Sequence, residues 1–120
     1  MVARYGPSAA QIDSFTANPN PVTAGSSVTL AASNITLADP SSTIIQVAFY
    51  LDSNNDSSLE STGTNPDTLL GYAMFSNGVW TFTFSTSVMG LTAGTYTLFA
   101  QAEDSDGIFS DPAALTLTVQ

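Results

Sequence analysis

Thr43–Glu60 reads TIIQVAFYLDSNNDSSLE. Its first part alternates, with Ile45, Val47, Phe49 and Leu51 on one face and Ile44, Gln46, Ala48 and Tyr50 on the other. A period of two is the signature of an extended chain, whose successive side chains point to opposite faces. One apolar face backed by a half-apolar face is the pattern of a strand inside its sheet, covered on one side and partly on the other. At Asp52 the alternation stops. Oxygen-bearing side chains take over: Asp52, Asn54, Asp56, Ser58 and Glu60. The stretch is therefore a core strand that runs into a polar loop.

Working outward, the same period recurs. Ser26–Ser33 places Val28, Leu30 and Ala32 on one face. Val79–Ser85 alternates Trp80, Phe82 and Phe84 with Thr81 and Thr83. Gly94–Asp104 turns Tyr96, Leu98, Ala100 and Ala102 inward, and Ala113–Gln120 carries Leu115, Leu117 and Val119. Asp67–Phe75 reads as one strand, with Gly71 as a bulge or a point of close contact. Gln11–Ala17 is a first strand whose anchors, Ile12 and Phe15, are three apart, so a bulge or a kink is expected. Between strands, Pro19 and Pro21 lack backbone donors and confine their segment to an edge or a crossover. Asn34–Ser42 reads as a loose segment closed by Asp39-Pro40, and Ser76-Asn77-Gly78 as a hairpin turn, because Asn-Gly tolerates positive φ. Thr86–Leu91 has room for one short turn. The expected fold is all-β: a sandwich of about seven antiparallel strands in two sheets over residues 11–120, after a linker at residues 1–10.

Composition bounds the partners. The 120 residues suit one domain with a real core, and the hydrophobic fraction is 43%. Only 9% of residues are charged, and the formal net charge is −9, with Arg4 as the sole basic residue. A phosphate backbone or an anionic membrane surface needs Lys and Arg, so nucleic acid and membrane partners are not expected. Divalent cations fit the charge; so does plain solubility of a Ser/Thr-rich surface. With no cysteine, disulfides and thiolate sites are excluded. No run is long and apolar enough to span a bilayer, and MVARYGPSAA lacks the apolar core of a secretory signal. The expectation is a module of a longer chain.

Leu91-Thr92-Ala93-Gly94-Thr95-Tyr96 resembles the tyrosine corner of immunoglobulin-like domains, in which a Tyr hydroxyl bonds back to the preceding crossover. With NPNPVTAGSSVTL, IIQVAFYLD, GVWTFTF, LTAGTYTLFAQAEDSDG and a final LTLTV, nearly the whole chain resembles bacterial immunoglobulin-like repeats and their cadherin-like and fibronectin type III-like relatives. The resemblance implies an immunoglobulin-like sandwich at the cell surface or outside the cell. It would serve as a non-enzymatic structural or adhesive repeat, with neighbouring domains of the same chain, a surface protein or a glycan as partners.

Asp52–Glu60 also resembles the opening of an EF-hand or dockerin calcium loop, D-x-N-x-D. Alternate side chains of a curled loop converge, and calcium takes six to eight oxygens at about 2.3–2.6 Å. Asp52, Asn54 and Asp56 would be side-chain ligands and Ser58 a carbonyl ligand, with Glu60 or Asp67 closing the site. Ser57 stands where the loop's glycine belongs and Gly63 where its closing acid belongs, so a solvated loop is the competing reading. Glu103-Asp104-Ser105-Asp106-Gly107, with Asp111 behind it, reads as a hairpin turn ahead of a second calcium cluster. The two clusters are expected at opposite ends of the sandwich.

Catalysis finds little support: no His, Cys or Lys can activate a serine or form a Schiff base, so no enzyme is expected. The alternative function is a carbohydrate-binding module, which needs exposed, coplanar aromatics. Tyr50, Tyr72, Phe75, Trp80 and Phe99 are the residues available. Tyr50 and Phe99 are expected at the surface and Trp80 in the core. Asn34-Ile35-Thr36 and Asn55-Asp56-Ser57 match the glycosylation sequon, a match that chance readily supplies in a chain this rich in Ser and Thr.

Overall fold

The computed structural model describes residues 10–37, 41–52, 67–110 and 112–120. It is all-β, with eight strands: β1 (Ala10–Asn18), β2 (Ser27–Leu37), β3 (Ile44–Leu51), β4 (Thr68–Tyr72), β5 (Met74–Ser76), β6 (Val79–Ser85), β7 (Gly94–Asp104) and β8 (Ala113–Val119). They form two four-stranded antiparallel sheets, β1-β2-β6-β5 and β4-β3-β7-β8. Among the described residues there is no helix. The alternating residues of β2, β3, β7 and β8 meet between the sheets: Val28, Leu30, Val47, Phe49, Leu98, Ala100, Leu117 and Val119 are all buried there. Phe49 stacks on Phe15 at 5.6 Å and on Phe82 at 6.3 Å, which ties the inner strand of one sheet to two strands of the other.

Eight strands replace the expected seven because Asp67–Phe75 is two strands. β4 lies on the edge of one sheet and β5 on the edge of the other, and the chain changes sheets at Ala73. The crossing needs close packing at Gly71, where an added Cβ would lie 2.5 Å from the Phe82 ring. The opposite side has its own crossover. After β1, Pro19 and Pro21 (both in cis peptides) lead the chain to β8, where Val22 N–H donates to Thr118 O at 2.9 Å and Gln120 N–H donates to Val22 O at 2.8 Å. The Asn20 amide donates to Thr116 O and accepts from Thr118 N–H, so a side chain stands in for a strand between the two prolines.

Three local expectations hold. Tyr96 OH donates to Thr92 O at 2.7 Å, the bond of a tyrosine corner. Asn77 and Gly78 both take positive φ in the β5–β6 turn. Residues 86–90 form the short turn, closed by Leu91 N–H on Thr86 O. Two others change. β2 does not end at Ser33: Ile35 and Leu37 continue it opposite Ile12 and Ala10. The kink expected in the first strand is shared with its neighbour, since Asn34, opposite the Ile12–Ser14 step, has φ +52°. Ile45, expected on the core face of β3, is 56% exposed. The pairing with β7 shifts between Ile44 and Gln46, and this bulge turns Ile44 inward and Ile45 out.

Candidate functional site

Of the six residues expected to hold calcium, Asn54, Asp56, Ser58 and Glu60 lie outside the described residues. Asp52 and Asp67 are described, and the fold does bring them together. Leu51 pairs with Thr68, so the two aspartates are the next positions beyond that pair at the end of β3 and β4. Both are buried, and Asp52 N–H donates to Thr97 O at 2.9 Å. Among the described residues no three of His, Cys, Asp and Glu come close enough to hold a metal.

The other acidic stretch is a tied turn at the opposite end, as expected. Asp104, fully buried, accepts from Asp106 N–H at 2.9 Å and from Ile108 N–H at 3.0 Å through Oδ1. Gly107 N–H closes the turn on Asp104 O. The turn is stitched to the entrance of β3: Ser105 N–H donates to Thr43 O at 2.8 Å, Thr43 N–H donates to Ser105 Oγ at 3.1 Å, and Ser42 Oγ donates to Asp106 Oδ2 at 2.5 Å.

Beside this stitched turn the two sheets part and leave a groove of about 460 Å3. Ile35 and Leu37 wall it from the end of β2, Ser42, Thr43 and Ile44 from the start of β3, and Phe75, Gly78 and Trp80 from the β5–β6 hairpin. The Phe75 and Trp80 rings lie 4.7 Å apart, tilted by 43°. Phe75 is 59% exposed and Trp80 half-buried against the core, so one ring forms the rim and the other the wall. Two local irregularities adjoin the groove's lining: positive φ at Asn34 in β2, next to Ile35, and the bulge that turns Ile44 inward. Strand alternation alone did not reveal these residues. The signal available was the pair Ile35 and Leu37, out of phase with Val28, Leu30 and Ala32.

The aromatics expected to form a sugar platform do not form one. Tyr50, Tyr72 and Phe99 belong to one sheet, Phe75 and Trp80 to the other. Phe99 is 2% exposed, because it sits on a central strand between Tyr50 of β3 and Ala114 of β8. Tyr50 is half-buried, and burial, followed by the neighbouring Tyr72, pushes its phenol above the usual 10.0.

No family model matches the chain, and no curated protein matches it by sequence. Solved structures do match. Superoxide reductase (neelaredoxin) from Ignicoccus hospitalis superposes with a TM-score of 0.58 at 15% identity, over 92% of this chain and 82% of that one. A variant of the same reductase gives 0.55 at 16% identity, over 95% and 82%. A hypothetical protein from Pyrococcus horikoshii OT3 gives 0.52 at 15% identity, over 91% and 88%. At these identities the likeness concerns the fold.

These structures correct several expectations. The fold is shared with a superoxide reductase and with a hypothetical protein, and these matches do not support an immunoglobulin-like repeat of a large surface protein. The motifs behind that resemblance encode strands, turns and a tyrosine corner, which a two-sheet sandwich can use whatever its lineage. The structural or adhesive repeat and the carbohydrate-binding alternative fall with the resemblance. The expectation of no enzyme is corrected too, since this sandwich is one on which a redox enzyme is built. Calcium as cofactor is overturned by the same neighbours and by the absence of a three-ligand group among the described residues.

Proposed function

We propose that the chain binds a small, mainly apolar molecule in the groove between the ends of its two sheets. The observation that carries this reading is the groove itself: about 460 Å3, with three aliphatic side chains, two aromatic rings and two hydroxyl residues around it. Small-molecule sites occupy roughly 300–1,000 Å3 and have this makeup, apolar walls with a few placed polar groups. Apolar surface that water wets poorly gains about 25 cal/mol for each Å2 that a ligand covers.

The reaction named for the structural neighbours, superoxide reduction, is a one-electron transfer and calls for a redox centre such as iron. Protein iron centres draw on imidazole or thiolate ligands, or imidazole with carboxylate. This chain has no His and no Cys, and the described residues supply no three-carboxylate group. The residues present do not fit such a centre, and no step is routed through one.

Trp80 is the only tryptophan in the chain and lines the groove, so its fluorescence reports occupancy directly. Titration with a neutral aromatic alcohol such as 1-naphthol is expected to change that emission saturably, with one site per chain. Leu37→Glu, which sets a charge in the apolar wall, is expected to abolish the change. A linear, unsaturable response, or full binding in a folded L37E protein, overturns the reading.

A further inference from the structure

We infer that the groove's ligand is an organic cation: an apolar body with a quaternary or protonated ammonium head, and Asp106 as its counter-charge. This rests on the groove reading above and adds the ligand's charge. The first observation is the rim. Ser42 lines the groove, and its Oγ is bound to the Asp106 carboxylate at 2.5 Å, so a negative charge stands one hydrogen bond from the lining. That carboxylate is held in place, because the turn carrying it is fixed to the β3 entrance by two further bonds between Thr43 and Ser105. The second observation is the pair of rings. Trp80 and Phe75 both line the groove, their centroids 4.7 Å apart and their planes tilted by 43°, and a cation is drawn to an aromatic face by the ring quadrupole.

The third observation concerns what the site would repel. The chain carries ten acidic residues against one basic residue, and that residue, Arg4, lies outside the described residues. No described Lys or Arg stands near the groove to receive a carboxylate or phosphate head. A fatty acid or an aromatic carboxylate would bring a like charge to the rim, whereas an alkyl- or aryl-ammonium compound brings the opposite one to rings and carboxylate together.

Three ligands built on one benzyl group separate these outcomes: benzyltrimethylammonium, its neutral isostere neopentylbenzene, and the anion phenylacetate, each titrated against Trp80 fluorescence. The cation is expected to bind about tenfold more tightly than the neutral isostere, which is about 1.4 kcal/mol. Phenylacetate is expected not to bind. The preference should shrink in 1 M salt, where the Debye length falls to about 3 Å. In Asp106→Asn the cation should fall to the level of the neutral isostere, whose own affinity stays unchanged and so certifies the fold. Equal affinities in the wild-type protein, a preference indifferent to salt, or a preference that survives D106N overturns the inference while leaving the groove reading in place. If neither the cation nor the neutral isostere binds the wild-type protein, the groove reading fails and takes this inference with it.

Discussion

The two open sides of the sandwich are finished in different ways. On one side β1 lies against β8, and the chain after β1 is laced to the β8 edge by backbone bonds at Val22, Ala24 and Gln120 and by the Asn20 amide. Val22 is completely buried there. On the other side β4 hands over to β5, and the surface carries Leu69, Tyr72, Met74 and Phe75, with Met74 78% exposed. No charged residue occurs between Asp67 and Glu103, so this side lacks the charges that often guard sheet edges. One side is closed by hydrogen bonds and the other by how tightly the sheets meet. The lesson is that the two crossovers rest on different physics, and substitutions should separate them.

The largest effect is expected at Gly71, where the open side depends on contact. A methyl there would sit 2.5 Å from Phe82 Cε1 and Cζ. Phe82 has little room to yield, since it stacks between Phe49 and Phe84 at 6.3 Å from each. Gly71→Ala should cost about 2–3 kcal/mol by overpacking, read as a lowered urea midpoint with the slope unchanged. A midpoint equal to wild type would mean that the crossing at Ala73 is looser than this packing implies.

Next comes a matched pair of truncations, one on each side. Val22→Ala removes buried methyl groups from the laced side and should cost about 2 kcal/mol. Met74→Ala removes a larger side chain from the open side, yet should change stability by less than about 0.5 kcal/mol, because that side chain is already in water. Thermal or urea unfolding of both variants checks the contrast. Comparable losses would show that β5 is held by apolar cover that its exposure does not reveal, and the distinction between the sides would go.

How much of this could be read beforehand depended on whether a feature was local. Alternation in Val79–Ser85 and Gly94–Asp104 marks β6 and β7 to the residue, and Pro19 and Pro21 mark an edge or a crossover because missing donors are a property of the residue itself. Asp67–Phe75 reads as one strand because a period of two is blind to which sheet a strand joins. Ala73 has no turn chemistry to announce the switch. Alternation puts Ile45 on the wrong face because a single bulge reverses parity without leaving a mark in composition. The groove was the least legible feature. Its walls come from positions as far apart as Ile35 and Trp80, beside the positive φ of Asn34 in β2 and the bulge of β3 at Ile45. The acidic loop had the opposite problem. Its pattern was visible, but a ligand set is a matter of convergence in space, and of its six residues only Asp52 and Asp67 are described, side by side at a strand end.

The smallest effect is a titration on the open side, where burial is partial. Tyr50 lies opposite Leu69 on β4 and Phe99 on β7, and its phenol is raised above 10.0 first by burial and then by repulsion from Tyr72. The unfolded chain therefore releases this proton at lower pH than the folded protein does. Below about pH 10 both states hold the proton, and its contribution to stability is fully present. As pH rises from there through the higher folded value, the unfolded state alone is deprotonated at first, so stability falls with pH. Urea midpoints measured across this alkaline range should decline in the wild-type protein. Tyr50→Phe should flatten the decline, whereas Tyr72→Phe should only reduce it, because it removes the lesser of the two causes. Equal slopes in wild type and Y50F would place the alkaline transition elsewhere. Tyr50 would then be as well solvated as the exposed edge beside it, and partial burial on this side would carry no energetic weight.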